Sequence, residues 1–167
     1  MKTYHFVIML DNARPDTKGL EDRLFEAGCD DALVCALNNS VYLEFDREAE
    51  SAEQALISAT AQVHAADFQI KCIQEAGPAS MADLARLANT TRASISNYIL
   101  GKRGKGDFPA PIGGISLSTP LYSWPEVARW LHQNKKLEDT SYEVAEAAQR
   151  FSQETSRHSG GVLQTPT

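Results

Sequence analysis

Hydrophobic residues in the first part of the chain switch between two periods. Residues 4–10 are apolar at every second position, with further apolar residues between them, as in a strand covered on both faces. A helical period then begins near residue 17 and ends at Gly28. Residues 32–37 and 41–45 predict two strands joined by a short polar segment. We therefore expect a strand, a helix and a hairpin at the start of the chain.

A second helix and a fourth strand complete this pattern. Ser51 can cap a helix whose apolar positions continue to Ala66, and residues 68–72 alternate again as a strand. The predicted order within residues 1–76 is strand, helix, strand, strand, helix, strand. This order is the split βαβ, or ferredoxin-like, pattern.

Helical periodicity dominates after Gly77-Pro78, which marks a predicted domain boundary. We expect a mainly helical domain over residues 77–136, a C-terminal helix over residues 137–157 and a disordered tail over residues 158–167. The C-terminal helix has a modest apolar stripe that suits a protein partner, a second subunit or its own domain equally. The predicted fold class of the whole chain is α+β.

Composition fits one or two globular domains. The chain has 167 residues, of which 43% are hydrophobic and 23% charged, and this excludes disordered and collagen-like proteins. It has no apolar run of eighteen residues and no signal-peptide core, so we expect a cytoplasmic protein without membrane attachment. Its three cysteines form no Cys-x-x-Cys pair, which predicts buried, reduced thiols rather than disulfides or a zinc site.

Charge is distributed unevenly along the chain, whose net charge is −6. Residues 1–76 carry six basic and fourteen acidic side chains, residues 77–136 eight basic and three acidic, and residues 137–167 two basic and five acidic. A basic middle segment therefore lies between two acidic flanks. This segment is the part of the chain suited to a polyanion such as nucleic acid.

Two short helices separated by a tight turn are predicted at the start of the basic segment. Ser80 begins a capping box for the first helix. Asn89 can adopt the left-handed conformation that a sharp turn between helices needs. Thr91 can cap the second helix, which Gly101 ends.

Residues 84–99 resemble a DNA-binding helix-turn-helix. Ala85 is small where the two helices of that family cross closely, Ile95 is aliphatic where the family has an aliphatic residue, and Asn89 replaces the usual turn glycine. Further residues, over about 79–133 in all, resemble the winged-helix domain of MerR and excisionase proteins. This resemblance implies a winged helix-turn-helix fold.

The resemblance does not fix the position of the wing within this segment. In that family a phenylalanine-proline strand leads into the wing and an aromatic strand returns from it, so the resemblance implies a strand at Phe108-Pro109 and a returning strand before the next helix. The tip of the wing lies either at Gly113-Gly114 or within residues 116–119. Trp124 and Trp130, in the helix that follows, are expected to belong to the core rather than to stack on bases.

The predicted second helix has side chains that can recognise DNA. Its capped N-terminus offers free amides to a phosphate, Arg92 can pair bidentately with guanine, and Asn97 can pair with adenine. The residues expected to contact bases are Arg92, Ala93, Ser96 and Asn97. The residues expected to contact the DNA backbone are Thr91, Ser94, Lys102, Arg103 and Lys105.

Enzymatic activity is not predicted. Asp30-Asp31 and the acidic residues that flank Arg47 are interpreted as polar surface near strand ends. No glycine-rich phosphate loop follows a strand, and no histidine lies beside a nucleophile at a known spacing. We therefore predict no catalytic residues, no metal site and no cofactor.

These observations together predict a sequence-specific, double-stranded DNA-binding protein. We expect a transcriptional regulator, acting as a repressor and as a homodimer formed by the acidic N-terminal domain. Binding of a ligand or of a protein partner by that domain stays open as another role for it. One alternative for the whole chain is an antitoxin that represses its own operon and binds a protein toxin through the N-terminal domain or the C-terminal helix. Another is an excisionase-like architectural protein that bends DNA.

Overall fold

The computed structural model describes the backbone of residues 1–160 and the side chains of residues 1–158. Strands and helices alternate in the first half, and helices dominate the second. The strands are β1 (Lys2–Leu10), β2 (Ala32–Leu37), β3 (Ser40–Ala49), β4 (Ile70–Ile73), β5 (Pro78–Ala79) and β6 (Tyr122–Ser123). The α-helices are α1 (Leu20–Glu26), α2 (Ala52–Ala65), α3 (Met81–Leu87), α4 (Arg92–Ile99), α5 (Trp124–Gln133) and α6 (Asp139–Gly160). The α+β fold class is confirmed.

The four longer strands form one antiparallel sheet in the order β2-β3-β1-β4. The predicted hairpin is confirmed: Leu37 pairs with Ser40, and Asn38 has the left-handed φ of 55° that a tight turn requires. Residues that face α1 and α2 are buried, among them Phe6 and Phe45, whose rings stack 5.1 Å apart. The sheet is therefore covered by helices on one face. The expectation that β1 is covered on both faces fails for its first half, where Thr3 and His5 are exposed, although Val7 is buried.

A second core lies among α3, α4 and α5. Leu84, Ile95, Trp124 and Leu131 are buried in it, and β5 pairs with β6 beside it. Both tryptophans of the chain are buried, as expected.

Helix α6 packs on its own chain and joins the two cores. Val144 and Ala148 are buried in the sheet core, whereas Ala145 is buried in the second core. The tail predicted from residue 158 is wrong at its start, because helix α6 continues to Gly160. Residues 161–167 of that prediction lie outside the described residues.

The cysteine prediction is only partly right. Cys29 is buried and Cys35 half-buried, but Cys72 is exposed, and none of the three is in a disulfide. Cys72 is exposed because it pairs with Met9 on the side of the sheet opposite to the core. In residues 1–160 no helix combines the length and the apolar character needed to cross a membrane.

Glu75 is a buried acid in the 3₁₀ turn (Gln74–Ala76) that follows β4. Its side chain accepts a hydrogen bond from the Val7 N–H at 2.7 Å, and the residue is 4% exposed. Burial raises the pKa of this carboxyl to about 7, and the Val7 hydrogen bond opposes the shift only in part. At neutral pH the fold therefore holds a carboxyl group that is close to its own pKa.

Replacing Glu75 with glutamine should flatten the pH dependence of stability. The pKa is higher in the folded state, so the stabilising effect of the proton is complete below about pH 4.5 and is lost as the pH rises towards 7. The shift corresponds to about 3 kcal/mol. Denaturant unfolding from pH 4 to pH 8 should show wild type losing stability relative to Glu75→Gln. Parallel profiles would contradict this expectation, and exposed Glu48→Gln is the control.

Candidate nucleic-acid interface

Helix α3 begins with the capping box predicted from Ser80. The Asp83 N–H donates to the Ser80 hydroxyl at 3.2 Å, and the Ser80 N–H donates to the Asp83 carboxylate at 3.2 Å. Leu84 and Ala85, one turn later, are buried against the rest of the second core. The cap therefore sets where α3 begins, and its apolar residues set which face lies against the core.

The turn between α3 and α4 has the geometry expected from its residues. Asn89 has a φ of 52°, and the Thr90 N–H donates to the Ala85 carbonyl at 2.9 Å. Thr91 then caps α4 by accepting a hydrogen bond from the Ser94 N–H at 3.1 Å. A left-handed asparagine thus brings two short helices together where a glycine is usual.

Helix α4 buries one face and leaves the other accessible. Ile95 and Tyr98 are buried. Of the residues predicted to contact bases, Arg92 and Ala93 are exposed, and Ser96 and Asn97 are half-exposed on the same helix. Of the predicted backbone contacts on this helix, Thr91 and Ser94 already hydrogen-bond each other through their hydroxyls at 3.1 Å.

The basic loop, residues 101–107, folds back on the end of α4. The Lys102 and Arg103 N–H groups both donate to the Asn97 carbonyl, at 2.9 and 3.3 Å. Lys105 is exposed, as are Lys102 and Arg103. The loop therefore places the three predicted phosphate contacts next to the exposed face of α4.

Trp130 anchors the basic loop, a contact that sequence reasoning missed. Its indole N–H donates to the Asp107 carboxylate at 2.9 Å, and its ring meets Tyr98 and Phe108 edge-on at 5.2 and 5.1 Å. Gly104 has a φ of 81°, and a Cβ there would lie 2.8 Å from the indole ring. Only the Gly-Lys-Arg-Gly spacing hinted that this loop lies close to another group.

The segment predicted to be the wing is a short loop closed by one bridge, and the strand expected at Phe108-Pro109 does not form. Gly113 pairs with Leu121, and the Leu117 N–H donates to the Gly114 carbonyl at 3.1 Å. The glycine pair therefore lies at the base of the loop, and residues 116–119 lie nearer its end. Ile115 and Leu117 are 77% and 74% exposed. Residues 108–125 carry no charged side chain.

Electrostatics separate the basic residues into two groups. Arg129 is paired with Glu146 at 2.9 Å, and exposed Arg86 lies 3.9 Å from Asp83. By contrast, Arg92 and the cations of the basic loop form no ion pair with any residue in the described part of the chain. These cations are therefore free to meet an anion.

The acidic clusters of the N-terminal half are not simply polar surface. Asp31 binds Arg47 through two hydrogen bonds, of 2.7 and 2.8 Å, and Arg47 is 6% exposed. The interpretation as polar surface holds for Asp30, Asp46 and Glu48, which are exposed, but not for Asp31, because its partner Arg47 lies on the inward face of β3, next to α2. Within residues 1–158, no three histidine, cysteine or acidic side chains lie together as a metal site would require.

The candidate interface therefore consists of the exposed face of α4 and the basic loop beside it. The structure brings Arg92, Ser96 and Asn97 together with the loop that carries the unpaired cations. The loop closed by Gly113 and Leu121, called the wing loop below, leads directly into β6, which pairs with β5. Comparison with known proteins found no matching family model, no matching curated protein and no matching solved structure.

Proposed function

We propose that this protein binds double-stranded DNA sequence-specifically and regulates transcription, as a repressor and as a homodimer. The observation that carries the proposal is the pair α3 and α4. A left-handed turn at Asn89 joins these helices, and the second one exposes Arg92 and Asn97 beside unpaired cations. Such a pair suits a helix in the major groove with its N-terminal residues on base edges.

The arrangement of residues 1–76 and that of residues 77–136 each support this proposal. The order of the elements and the sheet order β2-β3-β1-β4 favour a ferredoxin-like arrangement for residues 1–76. Helices α3 to α5, the β5–β6 pair and the wing loop favour a winged helix-turn-helix for residues 77–136. A dimer would present two copies of α4 to neighbouring major grooves, about 34–36 Å apart.

The two parts of the interface have different roles in this proposal. Arg92 and Asn97 read bases, because a guanidinium and a carboxamide each match one base edge bidentately. Lys102, Arg103 and Lys105 neutralise phosphates, which adds affinity and salt dependence but no sequence choice. Specificity and electrostatic affinity therefore belong to separable residues.

DNA titrations over a salt series with the full chain test the proposal. Arg92→Ala combined with Asn97→Ala should abolish the preference for the specific site while leaving the salt slope unchanged, each contact being worth about 1–3 kcal/mol. Replacing Lys102, Arg103 and Lys105 with alanine should weaken binding to all sequences and reduce the slope by about one per cation.

The probe is a labelled fragment of the gene's own upstream region, competed with unrelated duplex. Arg150→Ala, an exposed cation on α6, is the matched control and should leave both affinity and slope unchanged. Absence of saturable binding at low salt would refute the proposal. Retention of the sequence preference by the double variant would refute the role of α4.

The antitoxin alternative loses one of its two expected docking surfaces, the apolar stripe of the C-terminal helix. Val144 and Ala148, from the apolar stripe of the C-terminal helix, are buried in the protein's own core. That stripe is therefore occupied and offers no docking face for a toxin.

A further inference from the structure

Strand β2 is an edge of the sheet, and its side chains are unusual for an edge. It pairs with β3 on one side only, and the six residues Ala32–Leu37 include no charge and no proline. Leu33 and Leu37 are 63% and 65% exposed. The other strands of this sheet each contain at least one lysine, arginine or acidic residue.

The unpaired backbone groups of β2 can be identified from its ladder. The Asp46 N–H donates to the Asp31 carbonyl at 3.2 Å, so the odd-numbered residues of β2 turn their backbone groups towards β3. The even-numbered residues turn theirs outward. The Ala32 N–H is bonded to the Cys29 carbonyl at 3.3 Å, which leaves the groups of Val34 and Ala36 without a backbone partner among the described residues.

Natural sheets protect an exposed edge with charges, prolines or bulges. Strand β2 has no charged residue and no proline. It also has no bulge, since its register with β3 runs without interruption from Ala32 to Leu37. An uncharged, regular and apolar edge can form backbone hydrogen bonds with another strand. Its absence of charge is notable in a unit that carries fourteen acidic residues.

We propose that β2 pairs antiparallel with β2 of a second copy of this chain, joining two sheets into one of eight strands. This inference rests on the homodimer of the proposed function and names its surface. An antiparallel edge pair obeys a two-fold axis and is therefore self-complementary. Stacking the open sheet faces would instead bring Glu44 and Asp46 near their own copies.

The side chains select the register of this pair. With Cys35 on the two-fold axis, the N–H and C=O groups of Val34 and Ala36 are all paired, and Leu33 lies opposite Leu37 of the partner subunit. A register centred on Val34 would instead place Leu37 opposite Asp31 of the partner subunit. Apolar cross-strand pairs are favourable, so the pair is centred on Cys35.

Proline at position 36 tests the pairing. Because the Ala36 N–H points away from β3, Ala36→Pro removes no hydrogen bond within the chain, and proline is tolerated in edge strands. In the dimer it removes two symmetry-related hydrogen bonds, which should raise the dissociation constant about 10- to 100-fold. Ala36→Ser keeps the N–H and is the matched control. Sedimentation equilibrium measures the constant, and the unfolding transition confirms that each variant is folded.

Cross-linking tests the register in a Cys72→Ser background. Cys35 would face its own copy at a Cα separation of about 4.5 Å, within the range of a disulfide. Diamide should therefore link two chains through Cys35. Moving the thiol along the same face, with Cys35→Ser and Leu33→Cys, should prevent the link, because the two thiols would then be about 13 Å apart.

Each outcome separates this surface from the proposed DNA binding. A wild-type mass of 18.3 kDa at all concentrations would overturn the inference. DNA binding measured on the same sample would then test the proposed DNA binding separately. A dimer that is insensitive to Ala36→Pro and not linked through Cys35 would place the dimer interface elsewhere. A β2-linked dimer that binds no DNA would support the interface and refute the proposed function.

Discussion

Replacing Trp130 with alanine should lower the free energy of unfolding by about 3–5 kcal/mol, the usual cost of removing a large buried aromatic side chain. Trp130 is 5% exposed and packs edge-on against Tyr98 of α4 and Phe108 of the segment after the basic loop. The substitution would leave a cavity at the centre of the second core. Chemical denaturation monitored by circular dichroism measures the loss.

The same substitution should weaken DNA binding more than the loss of stability explains. The indole holds the basic loop through its hydrogen bond to Asp107 and its contact with Gly104. Without it, the loop would have to be ordered on binding, at a cost in affinity. Trp130→Phe keeps a ring but loses the N–H donor. Its DNA affinity should therefore lie between those of Trp130→Ala and wild type. If Trp130→Ala lowered the free energy of unfolding by less than about 1 kcal/mol, the indole would not be a structural anchor of the second core.

Local features of the fold were predictable from the sequence because they depend on residues close together in the chain. The capping box at Ser80 and the left-handed turn at Asn89 each need three or four neighbouring residues. The hairpin turn at Asn38 is of the same kind. Period and capping therefore predicted where the elements lie.

Contacts between distant residues were not predictable in the same way. Glu75 accepts a hydrogen bond from Val7, and Trp130 binds Asp107, so each partner is fixed by the tertiary fold. The C-terminal helix illustrates the difference: its apolar stripe was visible, but the stripe does not say which surface it covers. At the candidate interface, exposure of α4 followed from its period, whereas the anchoring of the basic loop did not.

Arg47 is the clearest case of a residue whose role only the tertiary fold defines. It continues the inward-facing series of β3, where the sequence pattern calls for an apolar side chain. Its guanidinium donates to the carboxylate of Asp31, to the side chains of Ser58 and Gln62 on α2, and to the carbonyl of Gly28. One buried cation thus links β3, α2 and the loop before β2.

Replacing Arg47 with alanine should therefore lower the free energy of unfolding by about 3–5 kcal/mol, as breaking a buried ion pair does. The loss would combine the unpaired acceptors of Asp31 and Gln62 with the lost contact between the guanidinium and the Phe45 ring, whose centroid lies 5.1 Å from the Arg47 Cζ. Arg47→Lys should restore little of the stability lost in Arg47→Ala, because an ammonium cannot form the bidentate contact with a carboxylate.

The control for Arg47→Ala is Arg86→Ala, whose side chain is 81% exposed and which should change stability by less than about 0.5 kcal/mol. Equal effects of the two substitutions in denaturant unfolding would show that the buried network contributes nothing to stability. Because Asp31 lies directly before β2, loss of Arg47 should also loosen the start of that edge strand. Hydrogen exchange of the Leu33 amide, which is bonded within the β2–β3 ladder, should then speed up in Arg47→Ala and not in Arg86→Ala.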